Sequence, residues 1–92
     1  MIISYSPING SGPLRITFAK LDFINVPASE CPEENGVYWL SENKLAAIEF
    51  DDVKASNDSI TITIPETGDK FSLKVSGGSI LLESSFLKSL AS

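Results

Sequence analysis

The chain has 92 residues, of which 42% are hydrophobic and 21% charged, and a net charge of −5. That length supports one domain, 1–92, with a modest core that buries roughly 60–70% of the unfolded surface. No window approaches the ~20 apolar residues of a helical membrane span, and an acidic middle repels phosphate backbones, so neither a membrane role nor direct nucleic-acid binding is expected.

Ile2 to Ser6 is a short apolar run and reads as a first strand. The opening Met-Ile-Ile-Ser-Tyr lacks a basic region followed by an apolar core, so no signal peptide is expected. Pro7 to Pro13 carries two prolines and two glycines and reads as a loop. Leu14, Ile16 and Phe18 then alternate with Arg15 and Thr17. The apolar series continues through Ala19, Leu21, Phe23, Ile24 and Val26 in a changed phase. One long strand with one or two bulges, ended by Pro27, explains that phase change best, because each bulge shifts the inward face by one residue; a tight turn at Ala19-Lys20 is the rival, though neither residue favours one.

Pro27 to Gly36 reads as a loop holding Cys31, Pro32 and the acids Glu30, Glu33 and Glu34. Val37 to Leu40 and Leu45 to Phe50 follow as a hairpin. With a loop at Ser41 to Lys44, Leu40 faces Leu45, Trp39 faces Ala46 and Val37 faces Ile48. Trp39, Val37, Ala46 and Ile48 then share one face, and Tyr38, Leu40, Leu45 and Ala47 share the other. Asp51 to Asp58 reads as a polar connection with room for one helical turn.

The stretch Ser59 to Glu83 gives the strongest pattern. Ile60, Ile62 and Ile64 alternate with threonines, and Phe71, Leu73 and Val75 alternate with Ser72 and Lys74. Gly77-Gly78 between them and Ser79 to Leu82 predicts a two-residue hairpin turn, which needs positive φ. Val75 then faces Ile80, and Leu73 faces Leu82. A loop at Glu66 to Asp69 puts Ile64 opposite Phe71, Ile62 opposite Leu73 and Ile60 opposite Val75. Either turn slipped by one residue would scatter the apolar face. Ser84 or Ser85 then caps a short C-terminal helix with Phe86, Leu87 and Leu90 on one side. The fold class is therefore all-β, or α+β if that helix is counted. The expected form is a small antiparallel sandwich or partly open barrel of seven to eight strands. Ile62, Leu73, Leu82, Trp39 and Ile48 are the expected core.

The chemistry of catalysis is sparse. The chain has no histidine, so the commonest general base and metal ligand is missing. Cys31 is the only cysteine, which rules out an internal disulfide and a Cys-His nucleophile pair and suits a reducing compartment. Beside acids, with no base nearby, it is expected to be an unreactive thiol. Asp51, Asp52 and Asp58 could ligate a hard cation, but their spacing matches no calcium loop. No enzyme activity, cofactor or metal is expected. Tyr38 and Trp39 could stack a base or a sugar, though with alanines opposite they read better as packing residues.

Charge is the remaining signal. Glu30 to Asp58 holds eight acids and two bases, a local charge of −6, while the rest of the chain sums to +1. The acids Glu30, Glu33, Glu34, Asp51, Asp52 and Asp58 flank the Val37 to Phe50 hairpin, whose ends meet. They are therefore expected to converge on one patch that binds a basic partner. In size, acidity, β-rich pattern and missing catalytic groups the chain resembles small inhibitory proteins as a class, such as immunity proteins or phage-encoded inhibitors of host defence enzymes. The expected function is an intracellular, cytoplasmic, non-enzymatic inhibitor that occludes a basic, even nucleic-acid-binding, site on a larger protein. Two alternatives stand beside it. One is a structural subunit that self-assembles into a homo-oligomer through its sheet edges. The other is a sandwich that binds a small ligand or carbohydrate.

Overall fold

The computed structural model describes residues 1–82, and within them it forms eight strands: β1 (Ile2–Tyr5), β2 (Ser11–Thr17), β3 (Ser29–Glu30), β4 (Gly36–Ser41), β5 (Lys44–Lys54), β6 (Asn57–Thr63), β7 (Lys70–Ser76) and β8 (Ser79–Leu82). Five of them make one sheet in the order β1-β2-β5-β4-β3, and three make a second in the order β6-β7-β8. Every pairing is antiparallel. The fold is all-β, with no closed barrel and no helix among the described residues. The expected C-terminal helix lies outside them.

One core fills the space between the sheets. Leu14, Ile16, Tyr38, Ile48, Phe50 and Val53 come from the larger sheet, and Ile60, Ile62, Ile64, Phe71, Leu73 and Val75 from the smaller. Phe50 and Phe71 meet across the gap with ring centroids 5.9 Å apart. Such an interior forms because alternate residues of each strand face the same side, so period-two sequences present a continuous apolar surface. Of the expected core, Ile48, Ile62 and Leu73 are fully buried. Leu82 is half-buried on the last strand, where β8 leaves it open to one side.

The smaller sheet follows its sequence closely. Gly77 and Gly78 have φ of 55° and 79°, and Val75 pairs with Ile80 and Leu73 with Leu82. The β6–β7 register differs from the expected one by two residues: Ile62 pairs with Phe71 and Ile60 with Leu73. The turn sets this shift. The Ile64 N–H donates to the Asp69 carbonyl at 2.8 Å, so the four-residue loop sits one residue earlier, which moves the pairing by two. A shift of two preserves the inward face, and the same isoleucines remain buried.

The larger sheet departs further. β2 stops at Thr17, and the expected long strand to Val26 gives way to a turn. Asp22 is the cause. Its carboxylate accepts the Ile24 and Asn25 N–H groups and the Asn25 side-chain amide, a local turn that competes with strand pairing. These donors hold the Asp22 carboxyl below its usual pKa. Pro13 lies inside β2 rather than in a loop, at the register shift between Gly12 and Leu14, where a missing N–H costs no ladder bond. Asp51 to Lys54 continue β5 instead of forming a polar connection, and Val53 buries its side chain completely.

A second bulge changes a face. Leu40 pairs with Leu45 as expected, but Trp39 pairs with Ala47, Tyr38 with Ile48 and Val37 with Glu49. Ala46 is the extra residue, and its carbonyl accepts the N–H groups of Phe18 (2.8 Å) and Ala19 (3.3 Å) from the chain leaving β2. Tyr38 therefore joins Ile48 in the core, while Trp39 and Val37 turn to the outer face. There Trp39 stays buried, because the 18–26 segment folds over it: Phe23 meets it edge-on at 4.9 Å. The Arg15 guanidinium lies over both rings, at 4.6 Å and 5.4 Å, and pairs with Glu49 at 2.9 Å. Cation–π contact and the ion pair give this outer face a small core of its own.

Candidate functional site

The acidic residues reach one end of the larger sheet by three routes. Glu30 sits on β3, opposite Val37. Glu33 and Glu34 lie in the exposed connection from β3 to β4. Asp51 and Asp52 occupy β5 beyond Phe50, and Asp58 lies at the start of β6. The Asp51 N–H donates to the Asn35 carbonyl and the Cys31 N–H to the Gly36 carbonyl, each at 2.9 Å. These bonds pin the acidic connection against β5.

Five of the six acids divide into two groups. Glu30, Glu34 and Asp51 line one open cleft of about 260 Å³ with Cys31, Asn35, Gly36 and Val37. Asp52 and Asp58 belong to a second locality, beside Tyr5. Asp51 and Asp52 fall at the β2–β5 register shift, between Phe50 and Val53, which both face the core. Glu33 is exposed and does not line the cleft. Asp58 holds the backbone together at a corner. Its carboxylate accepts the N–H groups of Lys54 at 3.0 Å and Ser59 at 2.9 Å, where the chain passes from one sheet to the other.

Gly36 shapes the cleft floor. A Cβ there would collide with the Glu49 carbonyl oxygen and press on Phe50, so only glycine lets β4 approach β5 this closely. Cys31, which its sequence neighbours mark only as an unreactive thiol, is the buried wall of the cleft. Burial first, and then the charges of Glu34 and Asp51, push its thiol up to about 11. A thiol so placed stays protonated at neutral pH and is a poor nucleophile. Both carboxylates line the same cleft as this thiol.

Tyr5 anchors the neighbouring locality. Its hydroxyl donates to the Val53 carbonyl at 2.6 Å. Burial, then Asp58 and Asp52, raise its pKa above the ordinary tyrosine value. Trp39 is capped by Phe23, and Tyr38 is buried with its hydroxyl on Glu66, so neither presents an open ring for stacking. Among the described residues no group of three acids or thiols is placed to hold a metal ion, and no helix is long and apolar enough to cross a membrane. Comparison with known proteins gives no relative: no family model, no curated protein and no solved structure matches this chain.

Proposed function

We propose that this chain is a small, non-enzymatic binding protein whose acidic end covers a basic site on a larger protein, acting as an inhibitor in a reducing, cytoplasmic setting. The observation that carries this reading is the cleft of Glu30, Glu34 and Asp51. Among the described residues none of these three acids has a Lys or Arg ion-pair partner; the Arg15–Glu49 pair lies on the outer face. Carboxylates gathered without counter-charge repel one another and detract from folding, a feature that fits a surface kept for binding. They also speed encounter with a basic partner, an effect that salt screens.

A protein partner fits better than a nucleic acid, whose phosphates the same field repels. A small-molecule reading fits less well. The cleft is below the usual ~300–1,000 Å³ of ligand pockets, and its walls are polar rather than aromatic. The test is retention of a basic protein from the native cell extract by the wild-type chain, and its loss when the cleft acids are neutralised.

A further inference from the structure

The two sheets differ in width, and β1 is an edge strand of the wider one. Across the inner face Ile3 stands beside Ile16 and Ile16 beside Ile48. Ile16 and Ile48 are fully buried, yet Ile3 is 41% exposed although it belongs to the same row. Met1 and Ile2 beside it are 68% and 69% exposed, and Met1, Ile2, Thr17 and Phe18 line an adjoining shallow groove with Ala19 and Lys20.

The outer edge of β1 also lacks the usual guards against strand pairing. Its sequence, Ile-Ile-Ser-Tyr, contains no charge and no proline. The opposite edge of the same sheet is guarded: β3 has two residues, one of them Glu30, and Glu33 and Glu34 follow it.

We propose that β1 pairs antiparallel with β1 of a second copy of this chain, making one continuous ten-stranded sheet across a two-fold axis at Ile3. The face rule fixes the register. Paired residues must share a sheet face, so partners must be an even number of positions apart. Centring on Ile3 sets Ile3 opposite Ile3, Ile2 opposite Ser4 and Met1 opposite Tyr5, which uses the whole strand. It places two inner-face isoleucines side by side and closes the open row of the core in both copies. A C2 contact of this kind is self-complementary by construction.

Charge favours a second copy over other occupants. The chain repels itself through its acids; Asp52 and Asp58 lie beside Tyr5 at one end of β1, and antiparallel pairing sets that end opposite Met1 of the other copy, so the two acidic ends stay apart. Ile2 is level with Thr17 and Ala47, near the β4–β5 turn. The only charged side chain on the two strands β1 and β2 is Arg15, already engaged by Glu49. One short strand buries less than the ~1,200 Å² of a stable interface, so the dimer is weak and reversible. This assembly is independent of the acidic cleft.

Sedimentation equilibrium of the wild-type chain from micromolar to millimolar concentration tests it. The expected result is a monomer–dimer equilibrium whose dissociation constant rises at least about tenfold in Ile3→Lys, through the buried charge and broken packing. Far-UV circular dichroism of Ile3→Lys confirms that the monomer stays folded, as an exposed edge position should. In a Cys31→Ala background, Ile3→Cys should couple to itself with a short bis-maleimide, and Leu81→Cys, exposed on the other sheet, should not. A chain that stays monomeric to millimolar concentration overturns the proposal, as does a dimer that Ile3→Lys leaves unchanged. Pairing of β1 only with a foreign extended peptide would overturn the second copy as its occupant.

Discussion

The Tyr38 hydroxyl donates a 2.6 Å hydrogen bond to the Glu66 carboxylate, and that bond ties β4 of the wider sheet to the β6–β7 loop of the narrower one. Burial and this contact push the Tyr38 pKa up to about 12. Tyr38→Phe keeps the ring and removes the bond. Urea unfolding should show a loss of about 0.5–1.5 kcal/mol, the usual net value of one hydrogen bond. An unchanged midpoint would mean that the exposed Glu66 is held by water as well as by Tyr38.

Cys31 and Tyr38, with Tyr5 acting in the same direction, then weaken the fold at alkaline pH. Cys31 and Tyr38 both hold their protons more tightly folded than unfolded, at about 11 and about 12 against ordinary values of 9.0 and 10.0. Below pH 9 both states are protonated and the stability is fully present. As pH rises from 9 to 12 the unfolded chain releases protons first, so stability falls over that window. Thermal melts across pH 8–12 should show the decline, and Cys31→Ala should remove its lower part. A melting temperature flat to pH 11 would contradict the burial assigned to Cys31.

Cys31 also reports on the cleft. At pH 8 its alkylation should be at least about a hundredfold slower than that of a free thiol, because so little thiolate is present. Glu34→Gln with Asp51→Asn should speed it several-fold by removing two negative neighbours. An unchanged rate in that double variant would show that the two carboxylates lie too far from Cys31 to share a cleft with it.

Gly36→Ala is the sharpest test of the β4–β5 approach. The added methyl meets a backbone carbonyl, which cannot turn aside. Denaturation should register a loss of about 1–3 kcal/mol, the range for overpacking. A variant as stable as the wild type would mean that the two strands stand farther apart at this point.

Why some of this is legible in the sequence and some is not follows from the period of two. Ile60, Ile62, Phe71, Leu73 and Val75 alternate so regularly that their face is unambiguous, and Gly77-Gly78 pins one turn. The same regularity cannot separate registers that differ by two, so the β6–β7 shift depends on a hydrogen bond from Ile64. In β5, Ala46, Ala47 and Ile48 are all apolar. A bulge among them leaves no mark in the pattern, and the pattern alone puts Trp39 on the wrong face. The apolar residues spaced through Phe18 to Val26 mask the Asp22–Asn25 turn, although Asp and Asn three apart are a turn signal. The acids are legible as a charge excess. Their division into a cleft group and a Tyr5 group is not, because it depends on a register shift at Asp51 and Asp52 within a strand whose polar sequence reads as a loop.

The measurement that bears most directly on the acidic-end account is comparative capture from the native cell extract. The immobilised wild-type chain is set beside a folded variant carrying Glu30→Gln, Glu34→Gln and Asp51→Asn, at low and at high salt, with bound proteins identified by mass spectrometry. The account predicts that the wild type retains a basic protein at low salt, that salt weakens the capture, and that the variant loses it. The same protein held equally by both chains, at both salt concentrations, would contradict it.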